Sequence, residues 1–318
     1  MSTPRWRVPA TAVSALVLSM LACSADQGRS ALGDRGQGAD TTPPSPTGAA
    51  DASNPALPVP EDAGAQPTDG APSVTPGSTC ASRGFKYCED FESAAVGGLP
   101  AGWTKDGAVG VVSGVSMGGT KALHASPANR GARYASRNIS ALGDLSGKHW
   151  GRVFFKVGSP APNFNPGDVI DGVVVHSTMV AFDEISPLGG GIQTRVVDTV
   201  VNPFAGLKHQ YLYNVQPKAR AEFGTGSDYN YKHDDKWHCA EWQIDSAAQA
   251  YQLYIDGAAV PKATVAKGAG NFGGAEIPLR FESVSVGWNN YQGMQNQAGY
   301  EAWFDELVLN DMRVGCGP

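Results

Sequence analysis

The chain has 318 residues, 42% apolar and 17% charged, with a net charge of −6. Its 40 glycines and 22 prolines are too many for one compact domain, so part of the chain lies outside it. No run rich in Lys and Arg occurs, which argues against a nucleic-acid partner. Beyond the N-terminus, no apolar run reaches the roughly 20 residues of a membrane span.

Arg5 and Arg7 precede an apolar stretch, Val8 to Ala22, with the layout of an export signal. It ends in Met20-Leu21-Ala22-Cys23. This resembles the bacterial lipoprotein signal, in which a small residue precedes a cysteine that is cut and lipidated. The resemblance implies residues 1–23 as a signal peptide, Cys23 as the lipid carrier and an anchor in the outer membrane. Residues 24–79 follow with no aromatic residue, nine Pro, eight Gly, and seven acids against two arginines. Such a segment cannot bury enough apolar surface to offset chain entropy, and it reads as a disordered stalk.

Residues 80–318 form the folded part. Its four cysteines, Cys80, Cys88, Cys239 and Cys316, are an even number, and export makes disulfides their natural state. Three pairings are possible. If the first and last strands are neighbours, Cys80–Cys316 with Cys88–Cys239 is expected; Cys80–Cys88 with Cys239–Cys316 competes closely.

β-Branched and aromatic runs recur through the domain: 151–157, 172–182, 191–197, 209–213, 237–244, 250–255, 280–286 and 300–309. Gly, Pro, Asn and Asp clusters separate them, and no amphipathic helix stands out. About twelve strands in one domain predict an all-β, two-sheet antiparallel sandwich. Asp256-Gly257 marks a tight turn within 237–263.

Five motifs occur in order: Cys88-Glu89-Asp90-Phe91-Glu92, then Gly98-Leu99-Pro100-Ala101-Gly102-Trp103, Trp237-His238-Cys239-Ala240-Glu241-Trp242, Leu253-Tyr254-Ile255-Asp256-Gly257, and Trp303-Phe304-Asp305-Glu306-Leu307-Val308-Leu309. Together they resemble the concanavalin A-like jelly-roll superfamily. The nearest pattern is the polysaccharide-lyase-like group that includes a fungal cellulose-induced secreted protein and glucuronan lyases. The resemblance spans about residues 85–316. It implies a structural Ca²⁺ between the opening and closing strands, with Glu92 and Asp305 as its carboxylate ligands. Ca²⁺ takes six to eight oxygens, and mixed carboxylate and carbonyl sets suit it.

A jelly roll that binds glycans uses the outer, concave face of one sheet, which then carries rings, amides and guanidinium groups. Gln193 and Arg195 share one face of their strand; His209, Tyr211 and Tyr213 share another. His176 stands in a run of small and apolar residues. Trp288, Asn289, Asn290 and Tyr291 form an aromatic and amide cluster suited to sugar contacts. Lys218, Arg220 and Glu222 read rather as a solvated edge. His233, Asp234, Asp235 and His238 read as a turn rather than a metal site.

The expected activity is cleavage of an acidic polysaccharide by β-elimination. That chemistry needs a neutraliser of the uronate carboxylate, a base for the adjacent C–H and an acid for the leaving oxygen. Arg195 or Gln193 would neutralise, His176 or His209 would be the base, and Tyr211 or Tyr213 the acid. Tyr213, Trp288, Asn290 and Tyr291 would contact the sugar. The alternative is a carbohydrate-binding module that does not cleave. A retaining glycosidase ranks last, because no Glu-x-Asp-x-x-Glu strand supplies its paired carboxyls.

Overall fold

The computed structural model describes residues 79–128, 131–158, 175–185, 191–202, 206–217, 223–266, 277–292 and 300–317. The expected signal with Cys23, nearly all of the expected stalk, and Lys218, Arg220 and Glu222 lie outside them. Fifteen strands run through the described residues: β1 (Tyr87–Glu89), β2 (Trp103–Asp106), β3 (Val109–Ser113), β4 (Lys121–Ala125), β5 (Tyr134–Asn138), β6 (Lys148–Val157), β7 (Val175–Ile185), β8 (Gly191–Asn202), β9 (Lys208–Pro217), β10 (Phe223–Gly226), β11 (Trp237–Asp245), β12 (Ala250–Ile255), β13 (Ala258–Val265), β14 (Ser283–Gln292) and β15 (Ala302–Asn310). The only helical segments among these residues are two short 3₁₀ turns, Cys80–Arg83 and Ser140–Ser146.

All strand pairs are antiparallel, and they form two sheets. The first has the order β13-β12-β11-β6-β15-β4-β3, with β1 also on β15; the second has the order β10-β9-β8-β7-β14-β5-β2. The protein is therefore an all-β, two-sheet sandwich, as the strand pattern predicts. The strand expected at 280–286 lies further along, at 283–292, and Ile277 and Phe281 are buried in the connection before it.

The inward faces of both sheets form one core. Trp242, Tyr251 and Phe155 of the first sheet meet Trp288, Tyr213 and Phe182 of the second, all under 2% exposed. Tyr213 and Tyr251 pack across the gap with ring centroids 4.3 Å apart. Gly151 makes room for Trp242: a Cβ there would stand 2.1 Å from the indole. Interiors are close-packed, so that contact leaves no substitute for glycine.

β15 is shared along its length. Its first half, Ala302–Phe304, pairs with β4, and its second half, Leu307–Leu309, with β1. A bulge at Asp305–Glu306, with Glu306 at φ 47, turns two consecutive acids to the outer face. Glu306 there binds Arg152 and Arg83, each at 2.7 Å.

The first and last strands are neighbours, yet the disulfides are Cys80–Cys88 and Cys239–Cys316. The expected Cys80–Cys316 and Cys88–Cys239 pairing is thus corrected. Beyond β15 the tail crosses the outer face of β6 and reaches β11. Arg152 donates to the carbonyls of Gly315 and Gly317, and Glu241 accepts the Gly315 N–H at 2.6 Å. That path carries Cys316 to Cys239 and away from Cys80.

Candidate functional site

The outer face of the second sheet is polar. Register places His176 beside Val200, Thr178 beside Asp198, Ala181 beside Arg195, and Asp183 beside Gln193. On the other side Ser285 lies beside Ala181 and Ser136. The opposite residues, Val180, Phe182, Val196, Val197 and Val286, belong to the core. Alternation along each strand therefore explains why these polar groups face out together.

They are bound to one another. Asp198 is fully buried; its Oδ2 lies 2.7 Å from His176 Nε2, and its Oδ1 accepts the Thr178 hydroxyl at 3.0 Å. Gln193 donates to Asp183 at 3.2 Å and accepts from Arg195 Nε at 3.1 Å. Tyr134, Thr178, Ala181, Gln193, Ser285 and Asn289 line one small hollow. The buried Asp198–Thr178 bond thus links His176 to one wall of the hollow, and Gln193 links Arg195 to another.

Tyr134 is half-buried, and burial together with Asp106 and Asp183 raises its phenol above the usual range. The group stays protonated at neutral pH. Gly287 brings β14 against it, since a Cβ at that position would stand 2.5 Å from the Tyr134 Cα.

The other expected residues lie elsewhere. His209, Tyr211 and Tyr213 do share a face, but it is the inner one; they are at most 3% exposed. Two tyrosines and a histidine bury more ring surface there than Gln210 and Leu212 would, and core packing wins. Burial holds His209 well below its ordinary pKa, with His233 and His238 adding to the effect, and burial drives Tyr211 far up. Neither can exchange protons with a substrate on the outer face. Trp288 is 0% exposed and packs in the core, so it offers no platform to a sugar. Asn290 is also buried: its Oδ1 accepts the Ser177 hydroxyl and its Nδ2 donates to the Ala128 carbonyl. The Tyr291 side chain lies outside the described residues.

Asp198, Thr178 and Tyr134 were missed in the sequence. Asp198 had a signal: an acid inside Arg195-Val196-Val197-Asp198-Thr199-Val200-Val201 is a strand residue that needs a partner.

Glu92 and Asp305 converge on the loop 116–121. Asp305 Oδ2 accepts the Met117 and Gly118 N–H groups, and Glu92 Oε1 accepts those of Thr120 and Lys121. Asp305 is 0% exposed, and among the described residues no cationic side chain lies within ion-pair distance of it, although its charge acts on the buried Arg152 guanidinium. Burial raises its carboxyl to about 8. Its oxygens accept only N–H groups and Arg152 acts on it from a distance, so a divalent cation would add counter-charge at closer range. The residues present fit Ca²⁺ in that respect. No cluster of three or more His, Cys, Asp or Glu placed for a metal occurs among the described residues.

His238 bonds Asp256 at 2.7 Å and Asp234 at 2.8 Å, one at each ring nitrogen. These ion pairs raise it to about 9, so it acts as a charged brace between a turn and β11.

No known protein-family model matches the chain, and no curated protein matches it. Among solved structures, the cellulose-induced protein Cip1 is similar at 16% identity and a TM-score of 0.41, over 73% of this chain and 100% of that one. The binding domain of botulinum neurotoxin DC is similar at 8% identity and a TM-score of 0.41, over 67% of this chain and 43% of that one. The binding domain of Paraclostridial Mosquitocidal Protein 1 is similar at 10% identity and a TM-score of 0.41, with 67% and 44% covered.

Proposed function

We propose that this is an exported protein that acts on polysaccharide at the outer face of the second sheet, by β-elimination of a uronic-acid glycan. The observation that carries the reading is the grouping of His176–Asp198–Thr178, Gln193–Arg195 and Tyr134 around one face.

Each part has a role. Arg195, with Gln193, neutralises the uronate carboxylate and so acidifies the adjacent C–H. His176, oriented by Asp198, takes that proton. The electron pair forms the C–C double bond and expels the glycosidic oxygen. Tyr134, protonated at neutral pH, gives that oxygen its proton. Tyr134 thus replaces Tyr211 and Tyr213, which the core absorbs. Ca²⁺ held by Glu92 and Asp305 would tie the opening and closing strands and takes no part in the chemistry. In this reading residues 1–23 are an export signal, Cys23 carries lipid, and residues 24–79 are the stalk that holds the domain at the cell surface.

The test is absorbance near 235 nm during incubation with glucuronan, alginate or pectate. A rise that vanishes in His176→Ala and Arg195→Ala is expected. The second reading, a module that binds without cleaving, is favoured by the loss of Tyr211 and Tyr213 to the core. Retardation in a polysaccharide gel without any rise at 235 nm selects it.

A further inference from the structure

The opposite sheet carries a second feature that this chemistry does not use. One register row crosses five strands of its outer face: Gly110, His124, Trp303, Lys156 and Trp237. Their chain neighbours Leu123, Ala125, Val157, Phe155, Ala302 and Phe304 point into the core, so the row faces out. His124 stacks on Trp303 with centroids 5.2 Å apart and an angle of 21°, and the Lys156 ammonium lies 5.6 Å from the Trp303 ring. Trp303 is therefore flanked on both sides. Trp237, at the end of the row, is half-buried and borders a hollow of about 530 Å³.

That hollow has two unlike walls. One is Trp237 with Lys156; the other is the loop between β3 and β4, with Ser113, Ser116 and Thr120. The loop is rigidly held. Two amide N–H groups bind Asp305, two bind Glu92, and the Thr120 hydroxyl binds Glu92 at 2.7 Å. Fixing a wall before the ligand arrives lowers the ordering cost of binding. The hollow is shallow and open, so a ligand would lie on it with one side to solvent.

We infer that this hollow is a second saccharide site, taking one pyranose ring of a glycan chain. A pyranose has an apolar face and a rim of hydroxyls. The indole of Trp237 suits the face. The Lys156 ammonium, which binds Asp235 at 3.1 Å and has further donors, suits the rim, as do the loop hydroxyls and carbonyls. The site lies on the other sheet from His176 and Arg195, so one glycan chain could be held here while another is engaged there.

The test is titration calorimetry on the full chain carrying Arg195→Ala, which disables the first face. The probes are cellohexaose, xylohexaose, mannohexaose and a glucuronan hexasaccharide. Binding of at least one is expected. Adding Trp237→Ala should raise its Kd tenfold or more, and Trp237→Tyr, which keeps a ring, should recover most of the affinity. An unchanged melting temperature in both variants would show that the fold is intact. No binding of any probe to the Arg195→Ala chain overturns the proposal, as does a Trp237→Ala chain that binds as tightly as its parent. Neither outcome bears on elimination at the first face, which the 235 nm assay of the unaltered chain reads separately.

Discussion

Asp198 Oδ2 lies 2.7 Å from His176 Nε2, and the Asp198 carboxylate is wholly shut off from solvent. A carboxylate in that position fixes the ring orientation and stabilises the imidazolium that forms after proton removal. Asp198→Asn keeps the size and an acceptor for Thr178, but its amide would donate to Nε2 and reverse the tautomer. Elimination should fall by about 10²-fold or more, within the range that acid–base groups supply. The melting temperature should move little. A variant that loses activity only in proportion to its folded fraction would reduce Asp198 to a structural residue.

Tyr134 makes a separate prediction. Burial, Asp106 and Asp183 all raise its phenol, so it remains an acid across neutral and mildly alkaline pH. Tyr134→Phe should lose elimination by about 10²-fold while gel retardation by the polysaccharide persists. In the unaltered protein, kcat should show no gain as pH rises from 8 to 10. A rise over that interval would mean that the ionised phenolate is the reactive form, and Tyr134 would then be the base.

Asp305 links the fold to the proposed cation. Its carboxyl is buried with three N–H donors, and among the described residues no cationic side chain pairs with it directly. Added Ca²⁺ should raise the melting temperature of the unaltered protein, and EDTA should reverse the rise. Asp305→Asn should abolish the response, because the amide keeps an acceptor for the loop but loses the charge. A melting temperature indifferent to both Ca²⁺ and EDTA would remove calcium from this corner.

Much of the architecture was legible because alternation is a local signal. The strands at 151–157, 237–244 and 250–255 and the Asp256-Gly257 turn all appear where the residues put them. Which side of a strand faces the core is not local. His209, Tyr211 and Tyr213 satisfy the pattern of a sugar-binding stripe and of a core stripe equally, and Tyr251 across the gap decides for the core. Gln193 and Arg195 resolve the other way, since Thr194 and Val196 fill the inner side, although the outer-face network leaves Arg195 itself only 3% exposed. The disulfides failed for a similar reason. The neighbouring first and last strands were anticipated, but the tail's path across β6, set by Arg152 and Glu241, could not be read from spacing. Asp198 and Tyr134 were hidden because their partners come from other strands.

His149 supplies the last prediction, and it concerns stability. It is fully buried; its Nδ1 lies 2.7 Å from the Leu145 carbonyl, and its Nε2 accepts the Trp242 indole N–H at 3.0 Å. The first contact needs a proton on Nδ1 and the second needs a lone pair on Nε2, so the ring is neutral in one tautomer. Burial lowers its pKa to about 4, against an ordinary value of 6.5. A histidine whose folded pKa is depressed stabilises the fold above its unfolded pKa, and that contribution is lost as pH falls toward the folded value. At about 1.4 kcal/mol per pH unit, the loss between pH 6.5 and 4 is about 3 kcal/mol. Urea unfolding at a series of pH values should show this decline, and His149→Gln, which cannot titrate, should show a shallower one from a lower starting stability. Parallel declines in the two proteins would mean that other groups carry the acid sensitivity and that His149 is already partnered by water or charge.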